Sequence, residues 1–362
     1  MRAKISDIIE NADFVGKLAR RNAIKSFPLI RASSIAPFVK WSKDNGRPLE
    51  NRLRATRLAY VSWDQPELPI PLVSSLNFIA DVAAREEIPE LGCKVVTPDS
   101  VAELGVLGLA AMEGPTVRAG LIRVCKTYPT YCTHERIVFQ KVRGGGRLLV
   151  SFDIPVPLEA LHITHQYTAV LFQLLCRAAG ASEPVFERVE IPPHPTFGIE
   201  HLRPWFGDVL MAARGRILIM HLSDAVLDLK IQLPTGTVVN ISEESRQPLS
   251  DAGGMEPVIR YLIGTMLADG VPTASDLAVA SGLTLRSLQR SLSMAETNFS
   301  AILDAARRDL ALEYFSSDDG DLAELATQLG YSDTACLSRA VRRWTGATPG
   351  QLQRAATKSL VG

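Results

Sequence analysis

A nine-residue pattern occurs twice in this chain, 48 residues apart, and few folds accommodate it. Asp276-Leu277-Ala278-Val279-Ala280-Ser281-Gly282-Leu283-Thr284 returns as Glu324-Leu325-Ala326-Thr327-Gln328-Leu329-Gly330-Tyr331-Ser332. After one extra residue, Leu288-Gln289-Arg290 is matched by Leu337-Ser338-Arg339. Each position has a mechanical reason. A small alanine lets a second helix cross close to the first, and glycine supplies the positive φ of a tight turn between helices. Thr284 and Ser332 are expected as N-caps of the helices that follow. Thr273 and Asp276 form a capping-box-like pair before the first copy. The pattern predicts a helix-turn-helix twice, with second helices over 285–293 and 333–343.

The rest of the chain is organised around this repeat. At 362 residues it has room for two or three domains. Its 46% apolar and 22% charged residues are ordinary for a soluble globular protein. From residue 256 the pattern is helical almost throughout. Before it, helical stretches are expected over 38–58, 70–84 and 158–179, and two short strands over 136–152 around Gly144-Gly145-Gly146. The fold class expected is therefore an α+β N-terminal domain followed by an all-α C-terminal domain with two helix-turn-helix units. Residues 1–21 read as an N-terminal extension, 22–235 as the first domain and 256–356 as the second. The Ser-, Gly- and acid-rich stretch 236–255 reads as a linker between them.

Overall charge does not advertise a partner, because 39 Lys and Arg balance 39 Asp and Glu. Residues 256–356 hold nine Arg and twelve acids, a net of 9 − 12 = −3. A global basic footprint is missing, so any nucleic-acid surface must arise from local clustering. The plain alternative is a repeat of two helical hairpins with solvated arginines.

Residues 256–354 resemble the DNA-binding domain of AraC/XylS-type transcriptional regulators, in which a long helix joins two helix-turn-helix units. The first unit appears as Leu283-Thr284-Leu285-Arg286-Ser287-Leu288-Gln289-Arg290, and the connecting helix as Leu303-Asp304-Ala305-Ala306-Arg307-Arg308-Asp309-Leu310-Ala311. The second unit appears as Leu329-Gly330-Tyr331-Ser332-Asp333, Ser338-Arg339-Ala340, Arg343-Trp344-Thr345-Gly346 and Thr348-Pro349. Leu337 and Val341 stand where aromatics are usual, and Gln353 replaces a closing Arg; these departures concern packing or the domain edge. Ala36-Pro37-Phe38 through Leu91-Gly92, Leu107-Gly108-Leu109-Ala110, Gly114-Pro115-Thr116-Val117-Arg118 and Leu202-Arg203-Pro204-Trp205-Phe206-Gly207 are similar to the arabinose-binding type of regulatory domain. The resemblance implies a transcription factor that binds promoter DNA under control of a small-molecule effector, dimerises through the N-terminal domain and meets RNA polymerase. It does not imply a sugar in particular.

A recognition helix presents the outward residues of its N-terminal half to base edges in the major groove. In the first unit these are Arg286, Gln289 and Arg290, just after Thr284; in the second they are Thr334, Ala335, Ser338 and Arg339. Arg can grip guanine bidentately, Gln can grip adenine, and Ala or Thr can touch a thymine methyl. Leu288, Leu292, Leu337 and Val341 should face the core. Arg342 and Arg343 should meet phosphates, which position without specifying.

Other chemistry is weaker. Five cysteines form no C-x-x-C pair. Cys125, Cys132 and His134 are close in sequence, but their spacing fits no standard zinc pattern. Inert buried cysteines and a surface histidine are expected, with a thiol sensor using Cys125 or Cys132 as the alternative. His162 and His165 are one helical turn apart and could share a face, without a third ligand nearby. The triple glycine is no phosphate loop and reads as a hairpin turn. No G-x-S-x-G or H-E-x-x-H occurs, so neither an enzyme nor a cofactor is expected. Without a secretory signal pattern or a membrane-length apolar run, the expected location is the cytoplasm.

Overall fold

The computed structural model describes residues 27–59, 61–231, 249, 255–317 and 321–354. These fall into two compact units, one formed by the chain up to residue 52 and from 63 to 250, the other from 251 onward together with 53–62. The expected N-terminal extension lies outside the described residues. So does the expected linker, except for Leu249 and Met255. Leu249 is buried, and its N–H donates to the Pro129 carbonyl at 3.2 Å, so this point of the segment packs on the first unit.

The first unit is α+β, as expected. Strand β1 (Leu29–Arg31) pairs antiparallel with β2 (Pro69–Pro71). A second sheet has the order β3-β4-β7-β5-β6, from β3 (Glu135–Val142), β4 (Gly145–Phe152), β5 (Arg188–Ile191), β6 (Leu210–Ala212) and β7 (Leu218–Ser223). All its pairings are antiparallel except β5 with β6. Helices α1 (Leu72–Arg85), α2 (Val117–Thr127) and α3 (Leu158–Ala178) each bury an apolar face in this unit. Helix α1 offers Leu72, Leu76, Ile79 and Val82 at helical spacing, all buried, and packs on α3.

Several sequence expectations need local correction. The helix expected over 38–58 is two helices, Ala36–Asp44 and Leu49–Ala55, broken where Gly46 takes φ +63 and Pro48 follows. Residues 70 and 71, expected as helix, belong to β2 because they pair with β1. The triple glycine is not all turn. Only Gly144 takes a left-handed φ (+80), while Gly145 and Gly146 lie inside β4. A Cβ on Gly145 would sit 2.1 Å from the Leu222 carbonyl oxygen, so those two glycines let strands and side chains approach closely.

The second unit is helical among its described residues. It comprises α4 (Met255–Met266), α5 (Ala274–Ala280), α6 (Leu285–Met294), α7 (Phe299–Ser317), α8 (Leu322–Gln328) and α9 (Thr334–Thr345). Helix α4 packs on α7, α5 on α6, and α8 on α9. Ile259, Ile263, Leu277, Leu288, Ile302 and Leu337 are completely buried and form the core. The two expected turns are present, with Gly282 at φ +66 and Gly330 at φ +72. At Gly330 a Cβ would also lie 1.9 Å from Val271 Cγ2, so this turn has no room for a side chain.

Candidate nucleic-acid interface

Each second helix starts on a side-chain cap. Thr273 and Asp276 close the expected capping box before α5. The Ser287 N–H donates to Thr284 Oγ1 at 3.1 Å, which starts α6 where expected. The second unit differs by one residue. Asp333, not Ser332, caps α9, accepting the Cys336 N–H at 2.7 Å, while the Ser332 hydroxyl donates to Asp333 Oδ2 at 3.1 Å. A carboxylate is the stronger acceptor at the positive end of a helix and takes the cap from the hydroxyl. The cap and the nearby hydroxyl and thiol donors hold the Asp333 carboxyl below its ordinary value.

The two helices turn as their periodicity requires. Leu288 and Leu292 on α6, and Leu337 and Val341 on α9, are buried at 1% exposure or less. Arg286, Gln289 and Arg290 stand exposed on the opposite side of α6, with Thr284 exposed at its start. On α9, Thr334, Ala335, Arg339, Arg342 and Arg343 are exposed and Ser338 is half-exposed.

Ion pairing sorts the arginines of this unit. Arg260 and Arg308 both reach Asp309, at 3.4 and 3.1 Å. Arg307 donates from Nε to the Leu329 carbonyl at 2.7 Å, and its guanidinium lies 4.8 Å from the Tyr331 ring centre, tying α7 to the second turn. Arg354 donates to the Gly350 carbonyl. Arg343 pairs with Asp304 at 2.6 Å, and the other oxygen of the same carboxylate accepts the Trp344 indole N–H at 2.9 Å. Arg286, Arg290, Arg339 and Arg342 make no ion pair among the described residues; Arg339 only touches the Cys336 sulfur at 3.0 Å. The net −3 thus hides a division of labour. Carboxylates of α7 engage Arg260, Arg308 and Arg343, while the exposed faces of α6 and α9 keep four unpaired cations. Asp304 and Arg307, which position α9 and its turn, carry no sequence signal beyond lying on the connecting helix.

The thiol and histidine candidates resolve differently. Cys132 is buried, and burial pushes its thiol well up; the Cys125 thiol is pushed up to about 11. Neither supplies the low-pKa thiolate that reactive cysteines need. His134, expected at the surface, is buried at 6% exposure, with Nδ1 2.7 Å from the Thr133 hydroxyl. His162 does not join His165. Its Nδ1 meets the Pro192 carbonyl at 2.8 Å and its Nε2 lies 2.9 Å from Nε2 of His201, a partner 39 residues away. Among the described residues, no group of three His, Cys, Asp or Glu is placed to hold a metal.

These buried imidazoles predict a pH dependence. Burial lowers His134 and His162 to about 4 and His165 to about 3, against about 6.5 in an unfolded chain. A base held neutral in the fold contributes stability that is present above about pH 6.5 and is lost as pH falls toward the folded value. The first unit should therefore lose thermal stability steadily from pH 6.5 to 4.5. His165 has no hydrogen-bond partner on either ring nitrogen among the described residues. His165→Leu should be neutral or stabilising at pH 7 and should flatten the acid limb by about one proton. An acid limb as steep in that variant as in wild type would show that His165 does not titrate on unfolding.

The first unit also contains a narrow, mainly apolar cavity of about 80 Å³. Leu72, Leu76 and Ile79 of α1, Thr164 and Tyr167 of α3, and Glu135 of β3 are among its walls.

A two-sheet α+β unit with an internal cavity, followed by two capped helix-turn-helix units on a shared linking helix, defines a helix-turn-helix DNA-binding regulator with a separate N-terminal domain. Residues 277–355 match the family described as "Helix-turn-helix domain", and residues 46–230 match "Arabinose-binding domain of AraC transcription regulator, N-term". The chain belongs to the AraC family of transcription regulators. It is 40% identical over 315 residues to the ornithine utilization regulator of Pseudomonas aeruginosa, covering 83% of this chain and 85% of that one. It is 33% identical over 332 residues to the HTH-type transcriptional regulator VirS of Mycobacterium tuberculosis, covering 89% of this chain and 96% of that one. No helix among the described residues is long and apolar enough to cross a membrane.

Proposed function

We propose that this regulator reads promoter DNA with α6 and α9 in successive major grooves, and that a small molecule held in the N-terminal cavity controls that reading. The observation that carries the proposal is the sorting of arginines. Arg286, Arg290 and Arg339 remain unpaired among the described residues on the exposed faces of two capped helices, in a unit whose other cations are mostly engaged. Arg286, Gln289 and Arg290, with Thr334, Ala335, Ser338 and Arg339, are assigned to base edges; Thr284, Arg342 and Arg343 are assigned to the backbone.

An effector alters DNA affinity only through differential binding to two states of the protein, so its influence and that of DNA are reciprocal. The protein acts as a homodimer joined through the N-terminal unit and presents its DNA-bound form to RNA polymerase. Dimerisation offsets the weak non-specific attraction of a net-negative DNA-binding unit by raising effective concentration. The relatives' names do not settle the effector. Ornithine carries two amino groups and a carboxyl, whereas the cavity walls offer one carboxyl and no cationic side chain.

Selection of bound duplexes from a random pool by the full-length protein tests the proposal. The expected result is an enriched site with two short blocks about one helical turn apart, shifted as a dimer. Absence of any enriched sequence would overturn the DNA-reading assignment, and a monomer at tens of micromolar, with and without that site, would overturn the dimer.

A further inference from the structure

The cavity of the first unit is unusual in what it leaves unsatisfied. Its walls are mainly Leu, Ile, Val and Ala side chains, yet three buried polar atoms among them have no partner among the described residues: Glu135 Oε1, Tyr167 Oη and Ser34 Oγ. Glu135 opens β3, and strand alternation puts it on the same face as Ile137, which also lines the cavity. Its other oxygen, Oε2, accepts the Tyr128 hydroxyl. Burial pushes the Glu135 carboxyl up to about 7. Buried polar groups in native proteins nearly always have partners, so a carboxyl oxygen aimed into an apolar space is a site lacking its counterpart.

The surroundings narrow what that counterpart is. Glu135 is the one acidic side chain among the lining residues, and no Lys, Arg or His accompanies it. An anionic ligand would find no cation there. The Tyr128 and Tyr131 rings, 5.9 Å apart and tilted at 43°, line the same cavity. Aromatic walls beside a carboxylate are the environment that recognises an ammonium group, because ring faces and carboxylate both attract positive charge. The aliphatic remainder, with Leu72, Leu76, Ile79 and Leu107 among it, suits an apolar chain.

We propose that this cavity binds a slender aliphatic amine, its ammonium group donating to Glu135 Oε1 beside Tyr128 and Tyr131 and its chain buried among the leucines and isoleucines of the cavity lining. This deepens the reading of the N-terminal unit as effector-binding and rests on it for regulation, though not for binding. The ion pair and the chain select together: the amine supplies the charge that the buried carboxyl lacks, and the chain removes apolar surface from water.

Calorimetric titration of the full-length protein with octylamine, octanol and octanoate, each below its aggregation concentration, tests the assignment. Octylamine is expected to bind about tenfold or more tighter than octanol or octanoate. Glu135→Gln is expected to remove that preference while leaving octanol affinity little changed. Where Glu135→Gln fails to fold, the ranking of the three probes on wild type decides. Octanol or octanoate binding as tightly as octylamine would overturn the proposal, as would no binding of any probe or an undiminished preference in Glu135→Gln. Parallel titration of the selected DNA site separates the two readings. Octylamine bound through Glu135 but without effect on DNA affinity or transcription leaves the site standing and removes its regulatory role. A protein that binds its DNA site but no amine keeps the DNA-reading function and loses this ligand class.

Discussion

Replacing Arg290 or Arg339 with alanine should lower affinity for the selected DNA site by about 1–3 kcal/mol and relax preference at one or two base positions. Both side chains are exposed and free of ion pairs among the described residues, on the faces opposite buried Leu288 and Leu337. Arg342 is equally unpaired among the described residues but lies one turn further along α9, where the proposed docking has the helix leaving the groove. Arg342→Ala should weaken selected and random DNA about equally and flatten the salt dependence by about one unit of log-log slope. Arg343→Ala should flatten it by less, because Asp304 already holds that guanidinium at 2.6 Å. A salt titration of each variant on both DNAs distinguishes these outcomes. Equal losses on selected and random DNA for Arg339→Ala would mean that α9 does not read bases at that position.

Truncating the core beneath α9 should have the largest effect on stability. Leu337 is completely buried, and Leu337→Ala should cost about 2–5 kcal/mol. Total domain stability is only about 5–15 kcal/mol, so the loss is a large fraction of what holds the second unit together. It removes the packing that keeps Thr334, Ala335, Ser338 and Arg339 on one outward face. Hydrogen exchange should show α9 amides losing protection, and DNA affinity should fall although no DNA-facing atom has changed. Protection of α9 unchanged from wild type would show that the Asp304 contacts to Arg343 and Trp344, with the Arg307 clamp on the turn, suffice without Leu337.

The second unit was legible because its information is local. A glycine that must take positive φ, a cap one residue before a helix, and leucines at helical spacing specify two helix-turn-helix units without distant residues. The displaced cap shows the limit of such rules: Ser332 and Asp333 both satisfy the sequence preference, and only the contest for the Cys336 N–H selects the carboxylate. The first unit was less legible because its sheet joins segments far apart in the chain. The β5 and β6 strands are four and three residues long, too short for a clear alternation, and pair with each other in parallel. Nothing within a few residues of His162 points to His201, and nothing around Glu135 points to α1 and α3 closing over it.

By itself, then, the sequence determined the repeated motif and the inward and outward faces of α6 and α9, since helical periodicity and capping are properties of neighbouring residues. Only the tertiary structure decided which arginines stay free and which are neutralised. It alone decided that His134 is buried, and that a strand-opening glutamate faces an apolar cavity with one oxygen unpartnered. Charge pairing and burial depend on what other elements bring within a few ångströms, and those distances exist only once the chain has folded.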